Sequence, residues 1–80
     1  MKIQVLGFGI VKEIFSSSSI VQEVPEQTTV FHFKLELERQ CPEIKKLRSY
    51  FIAVNQEYAG DHVEIASTDE IAVIPPVSGG

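Results

Sequence analysis

Groups that could do chemistry are few in this 80-residue sequence, and their spacing tests each one quickly. His32, Cys41 and His62 are the side chains best suited to metal binding or nucleophilic attack. They stand 9 and 21 residues apart, with no CxxC or HxxxH pair, so no metal site is expected. A Cys41 nucleophile would need a neighbouring base to lower its thiol pKa, and nothing beside it in the sequence supplies one. The plainer roles are a helix-surface residue for His32, a loop or edge-strand residue for His62, and a small apolar residue at a helix end for Cys41. Gly7 and Gly9 do not form a phosphate loop, because Lys12 stands where GxGxxG requires its third glycine.

Glu36, Glu38, Glu57, Asp61, Glu64, Asp69 and Glu70 are dispersed over positions expected at the surface. They read as a solvated acidic face, or as docking charge for a basic partner, rather than as paired acid-base catalysts. Lys45, Lys46 and Arg48 lack interleaved stacking aromatics, so nucleic-acid binding is not expected. The remaining candidate is at the end of the sequence, where Gly79-Gly80 follow an extended Pro75-Pro76-Val77-Ser78 segment. Proline stiffens the stretch, and two residues without Cβ fit a tunnel too narrow for side chains. A carboxylate at Gly80 is inert as it stands, but activation with ATP as an acyl-adenylate would expose it to a sulfur or amine nucleophile. A frayed terminus or a cloning remnant would carry the same two glycines.

These residues must be positioned by a small scaffold. With 44% hydrophobic and 22% charged residues, the chain describes a single domain, residues 1–80, with a thin core and a flexible tail over residues 75–80. Eleven acidic and 7 basic residues leave a net charge of -4, the wrong sign for attraction to nucleic acid or an anionic membrane. One cysteine excludes an intrachain disulfide, and no apolar run approaches the ~18 residues of a membrane span. A soluble, cytoplasmic protein is expected, with a partner whose surface is basic.

Alternation over residues 1–9 predicts a strand, with Ile3, Val5 and Gly7 on one face and Leu6 and Phe8 on the other. Residues 10–15 suit a short helical turn, residues 16–19 a polar loop, and residues 20–24 a second strand ended by Pro25. The middle is ambiguous. Phe31, Phe33, Leu35 and Leu37 alternate as in a strand, whereas Val30, Phe33, Leu37 and Cys41 follow helical spacing between a Thr29 cap and a Pro42 stop. The length of 12 residues favours the helix. Residues 43–49 read as a turn or short helix, and residues 50–54 as a strand central in the sheet. Residues 62–65 alternate as a strand, residues 67–70 turn, and residues 71–74 form a last strand. The first and last strands are expected to pair in parallel, with the helix as crossover. This predicts an α+β, β-grasp (ubiquitin-like) fold, a mixed sheet with one main helix packed across it.

The chain resembles the MoaD-like branch of the ubiquitin-like sulfur carriers, the small subunits of molybdopterin synthase. The residues that carry the resemblance are Ile3-Gln4-Val5-Leu6-Gly7-Phe8-Gly9 with Val11-Lys12-Glu13-Ile14, then Ile52-Ala53-Val54-Asn55-Gln56, then the segment from Asp69 to Gly80. AVNQ followed by DE, four apolar residues and PPVSGG is the specific part. The resemblance implies the β-grasp fold and settles the ambiguous middle as helix. It implies that Gly80 is adenylated by a ubiquitin-activating-type, MoeB-like adenylyltransferase that uses ATP, then converted to a thiocarboxylate, with Gly79 keeping the tail thin. The thiocarboxylate would enter a MoaE-like large subunit, in a heterotetramer, and give its sulfur to cyclic pyranopterin monophosphate. Phe8, Ile74, Pro75, Pro76, Val77 and Ser78 would contact the partners, and no cofactor or metal would be bound by this chain itself.

Three positions depart from the resembled pattern. Gly7 stands where a bulky apolar residue is common, Ile74 where an aromatic is common, and Thr68 in place of a turn glycine. The same carrier chemistry would also serve thiazole, cysteine or tRNA thiolation. A ubiquitin-like modifier, or an interaction module with an inert tail, is the reading from another class.

Overall fold

The structure, a computed structural model, describes residues 1–76. Within them the elements are β1 (Lys2–Gly7), α1 (Ile10–Phe15), β2 (Ser19–Glu23), α2 (Val30–Gln40), a 3-10 turn (Pro42–Lys46), β3 (Phe51–Val54), β4 (Glu57–Tyr58) and β5 (Ile71–Ile74). The strands form one sheet in the order β2-β1-β5-β3-β4. β1 and β5 are parallel neighbours, in the register Val5↔Ile71, Leu6↔Ala72 and Gly7↔Val73. The remaining pairings are antiparallel. This is the mixed β-grasp sheet expected from the sequence, with α2 in the crossover between its two central strands.

The ambiguous middle is a helix because its environment has one apolar side. Val30, Phe33 and Leu37 recur at spacings of three and four and are buried, while Phe31 and Leu35, which a strand would have placed beside Phe33, are exposed. Thr29 caps the helix in extended geometry, its hydroxyl accepting the His32 N–H at 3.4 Å. Cys41 closes the last turn by donating its N–H to Leu37 O at 2.7 Å, and Pro42 prevents a further turn. The helix stripe meets Ile3, Val5, Ile52, Ile71 and Val73 from the sheet, with Val11 and Ile44 filling the ends.

Several strands differ from expectation. Residues 62–65 do not form a strand: Glu64 makes only an isolated bridge with Thr29, and Val63 O and Asp61 O instead accept the N–H groups of Val30 and Phe31 at the helix start. β3 begins at Phe51, one residue later than expected, and is an interior strand paired on one side with β5 and on the other with the short edge strand β4. Its alternation is hidden because Ala53 is small enough to be buried on the open face, while Phe51 on that face is exposed. In β2 the polarity is inverted. Val21 is 66% exposed and Gln22 only 1% exposed, because the register places Gln22 opposite the core residue Ile3 and Val21 opposite Gln4.

Candidate functional site

Phe8 and Ile74 come together on the sheet face that the helices leave uncovered. One residue beyond the Gly7↔Val73 pair, the parallel register sets Phe8 beside Ile74. Both line a concavity of about 290 Å³ with Ala53, Gln56, Tyr58, Glu70 and Ala72. The hollow arises from side-chain size. Ala72 pairs with Ala53, and Ala53 with Tyr58, so two alanines form a floor between larger rim residues. Phe8 is 50% exposed and Tyr58 74% exposed, leaving the rim apolar and accessible. Phe51 extends the patch, packing its ring against Tyr58 with centroids 5.5 Å apart.

Tyr58 and the alanine floor were not visible in the sequence. A two-residue strand has no measurable alternation, and an alanine gives no sign of which face it takes. The signal that could have found them is the AVNQ motif. Asn55 and Gln56 both adopt positive φ, 53° and 70°, as a two-residue hairpin between β3 and β4 requires. Asn55 then ties this hairpin to the turn before β5. Its N–H donates to Glu70 O at 2.8 Å, its Nδ2 donates to Asp69 Oδ1 at 2.9 Å, and its Oδ1 accepts the Glu70 N–H at 2.9 Å. Two motifs 13 residues apart in the sequence, Ala53-Val54-Asn55-Gln56 and Asp69-Glu70, are therefore one structural unit under the concavity.

The site leads directly into the tail. Pro75 and Pro76 are half-buried at the end of β5. A Cβ on Gly9 would lie 3.2 Å from Pro75 Cγ, and Gly9 has a φ of +55°, so a glycine is needed there for the loop to pass close to Pro75. Val77, Ser78, Gly79 and Gly80 lie outside the described residues. Of the three departures, Ile74 lies in the site. Gly7 faces α1 instead, where a Cβ would meet Phe15 Cδ2 at 2.8 Å. Thr68 does not adopt positive φ; the turn closes through Asp69 N–H to Ala66 O at 3.0 Å and Ala66 N–H to Asp69 Oδ2 at 2.7 Å.

The groups considered first for chemistry are elsewhere. Thr29 Oγ1 lies 2.9 Å from His32 Nδ1 at the helix start, and His62 lies beside Gly60 in a turn. Burial, and then Glu43, push the Cys41 thiol pKa up, which disfavours a thiolate nucleophile. Lys45 and Arg48 are joined by Lys34 around a separate depression with Glu38 and Tyr50, and Lys34 is paired to Asp61 at 2.8 Å. Burial, and then a hydrogen bond to the Glu38 carboxylate, push the Tyr50 hydroxyl pKa up. What the concavity offers is apolar contact area and the Glu70 carboxylate at its edge. It is built to bind.

Residues 5–80 match the model of the ThiS family. The chain belongs to the ThiS family. This ThiS-family chain is 41% identical over 81 residues to the molybdopterin synthase sulfur carrier subunit of Dictyostelium discoideum, covering 96% of this chain and 94% of that protein. It is 37% identical over 83 residues to the protein of the same name from Homo sapiens, covering 99% and 94%. Among solved structures, the putative molybdopterin converting factor subunit 1 of Pyrococcus furiosus superposes with a TM-score of 0.86 at 23% identity, covering 96% of this chain and 99% of that one. SAMP1 of Haloferax volcanii superposes with a TM-score of 0.84 at 24% identity, and both chains are fully covered. Both structures share the fold of this ThiS-family chain. Among its described residues no helix is long and apolar enough to cross a membrane.

Proposed function

We propose that this protein is the sulfur carrier subunit of molybdopterin synthase, a non-catalytic chain that presents sulfur to a larger partner. The observation that carries the reading is the continuity of the apolar concavity at Phe8, Ile74 and Tyr58 with the Pro75-Pro76 segment that precedes Gly79-Gly80. A partner side chain seated on the alanine floor would fix the domain so that the tail points into the partner's active site. Binding on the apolar face holds the domain, and the narrow tail delivers the reacting atom. The acidic Glu70 at the rim suits a basic residue on the partner.

In the first step the Gly80 carboxylate attacks the α-phosphorus of ATP on a MoeB-like adenylyltransferase, releasing pyrophosphate. Hydrosulfide-level sulfur then attacks the acyl carbon and displaces AMP, leaving a thiocarboxylate. In a MoaE-like large subunit the thiocarboxylate sulfur forms a C–S bond to cyclic pyranopterin monophosphate, displacing an oxygen substituent, and water then cleaves the acyl–sulfur bond to regenerate the carboxylate. Gly79 and Gly80 keep the tail thin, and Pro75, Pro76, Val77 and Ser78 contact the walls of its channel. The names carried by the relatives at 37–41% identity support this pathway over thiazole, cysteine or tRNA thiolation. The complex of subunits 1 and 2 of the molybdopterin-converting factor from Helicobacter pylori contains a chain of this fold, with a TM-score of 0.70, which supports a two-subunit assembly.

The test is intact mass after co-expression with the activating enzyme and a sulfur source. The expected gain is that of one oxygen replaced by sulfur, lost on deletion of Gly80. The thiocarboxylated protein should then convert cyclic pyranopterin monophosphate in the presence of the large subunit. No mass gain refutes the carrier reading. A mass gain without conversion assigns the carrier to another thiolation pathway.

A further inference from the structure

Among the described residues β2 is the outermost strand on its side of the sheet, with no strand beyond it. The phase of its ladder with β1 identifies the backbone groups that face outward. Gly7 N–H donates to Ser18 O at 3.0 Å, and Val24 N–H donates to Met1 O at 2.8 Å. Hydrogen-bonded pairs recur every second residue in an antiparallel ladder, so Ile20 and Gln22 also turn their amides toward β1. Ser19, Val21 and Glu23 turn theirs away. Consistent with that phase, the Ser19 N–H donates to Ser17 Oγ at 3.3 Å instead of to β1.

This edge lacks the usual protection. Edge strands are commonly blunted by lysine, proline, bulges or inward charges, yet β2 reads Ser-Ile-Val-Gln-Glu with its only charge at the end. Apolar surface flanks it on both faces. Val21 is exposed on the open face for no reason within the monomer. On the helix face, a groove of about 520 Å³ starts where β2 ends, at Val24 and Pro25, and runs to the exposed Leu35 of α2.

We propose that β2 pairs antiparallel with β2 of a second copy, about a two-fold axis at Val21, joining the two sheets into one. The edge is complementary to itself. Val21 faces Val21 of the second copy, and each Ser19 faces a Glu23, so Val21 and Glu23 offer free outward amides, the Ser19 N–H joins them once it leaves the Ser17 hydroxyl, and the two Glu23 carboxylates stay apart. A register shifted by two residues loses one of these pairs, and a shift by four sets Glu23 against Glu23. A two-fold axis perpendicular to the sheet places both helical layers on the same side, with the grooves at Val24, Pro25 and Leu35 at opposite ends of the new interface. The concavity at Phe8 and Ile74 lies toward the opposite edge and remains open in both copies. The interface is at the small end of specific contacts, so association is weak and concentration-dependent.

The test is sedimentation equilibrium of the full chain up to about 1 mM, the Kd range of weak specific contacts, paired with amide hydrogen exchange. The expected mass rises with concentration from 8.9 kDa toward twice that value, and exchange slows at Val21 and Glu23. Val21→Pro removes an outward N–H that the β1–β2 ladder does not use. Val21→Lys leaves the strand intact and sets like charges at the axis. Both variants should stay monomeric with unchanged far-UV circular dichroism, whereas Phe8→Asp should still dimerise. A mass fixed at 8.9 kDa overturns the proposal, as does a dimer that survives Val21→Lys. Loss of the dimer in Phe8→Asp would move the contact to the sheet concavity. Protection of Val21 only when the large synthase subunit is added would assign the edge to that partner, which also overturns self-pairing.

Discussion

Replacement of Asn55 tests whether the hairpin and the turn before β5 act as one unit beneath the concavity. Asn55→Ala removes two side-chain hydrogen bonds, to Asp69 and from the Glu70 N–H, each 2.9 Å long. At about 1 kcal/mol apiece they account for about 2 kcal/mol. Asn55 also holds a φ of 53°, where alanine is disfavoured by about 1 kcal/mol. The expected loss is therefore about 3 kcal/mol, which lowers Tm by roughly 12–24 °C in a domain of this size. Asn55→Gly loses the same two bonds but keeps the left-handed geometry, so it should be about 1 kcal/mol less damaging than Asn55→Ala. Thermal unfolding followed by circular dichroism measures both. A double-mutant cycle with Asp69→Ala should give a coupling energy of about 1 kcal/mol. Equal stability of the alanine and glycine variants, or additive effects of Asn55→Ala and Asp69→Ala, would refute the reasoning.

Other perturbations are expected to act through different mechanisms. Gly7→Ala places a Cβ 2.8 Å from the Phe15 ring and should destabilise by about 1–3 kcal/mol, with partial rescue by Phe15→Leu in denaturant titrations. Gln22 is buried with both amide atoms unpartnered, so Gln22→Leu should raise the denaturant midpoint by an amount corresponding to about 1–2 kcal/mol, with an unchanged m-value. Ala72→Leu fills the floor of the concavity and should weaken binding to the large subunit, measured calorimetrically, while Tm changes little. Because the folded state raises the Tyr50 pKa, its stabilisation is complete below the ordinary tyrosine value of about 10 and is lost as pH rises above it. Tyr50→Phe should therefore flatten the alkaline limb of the stability profile; an unchanged limb would remove Tyr50 from that role.

The elements most legible in the sequence were those with strong local signals. α1 was expected at residues 10–15 and spans them, and β5 was expected at residues 71–74 and spans them. The parallel pairing of the first and last strands followed from the long connection between them. The 62–65 segment misled because alternation describes side-chain direction only, and its backbone carbonyls went to the start of α2 instead of to a strand. Phe8 and Ile74 were named as candidates through the resemblance, but Tyr58, which shares their concavity, was not, since β4 is too short to show a period.

By itself, the sequence determined the fold class, the short helix at residues 10–15, the last strand at residues 71–74 and the Gly79-Gly80 pair, while Val30, Phe33 and Leu37 formed one of two periods it offered. These depend on local periodicity and covalent order, which are written in the residues. Only the tertiary structure decided that two alanines from different strands form a floor, that Asn55 reaches Asp69 and Glu70, and that Val21 faces out while Gln22 faces in. Each of these depends on strand register, and register is set by long-range pairing that no window of sequence contains.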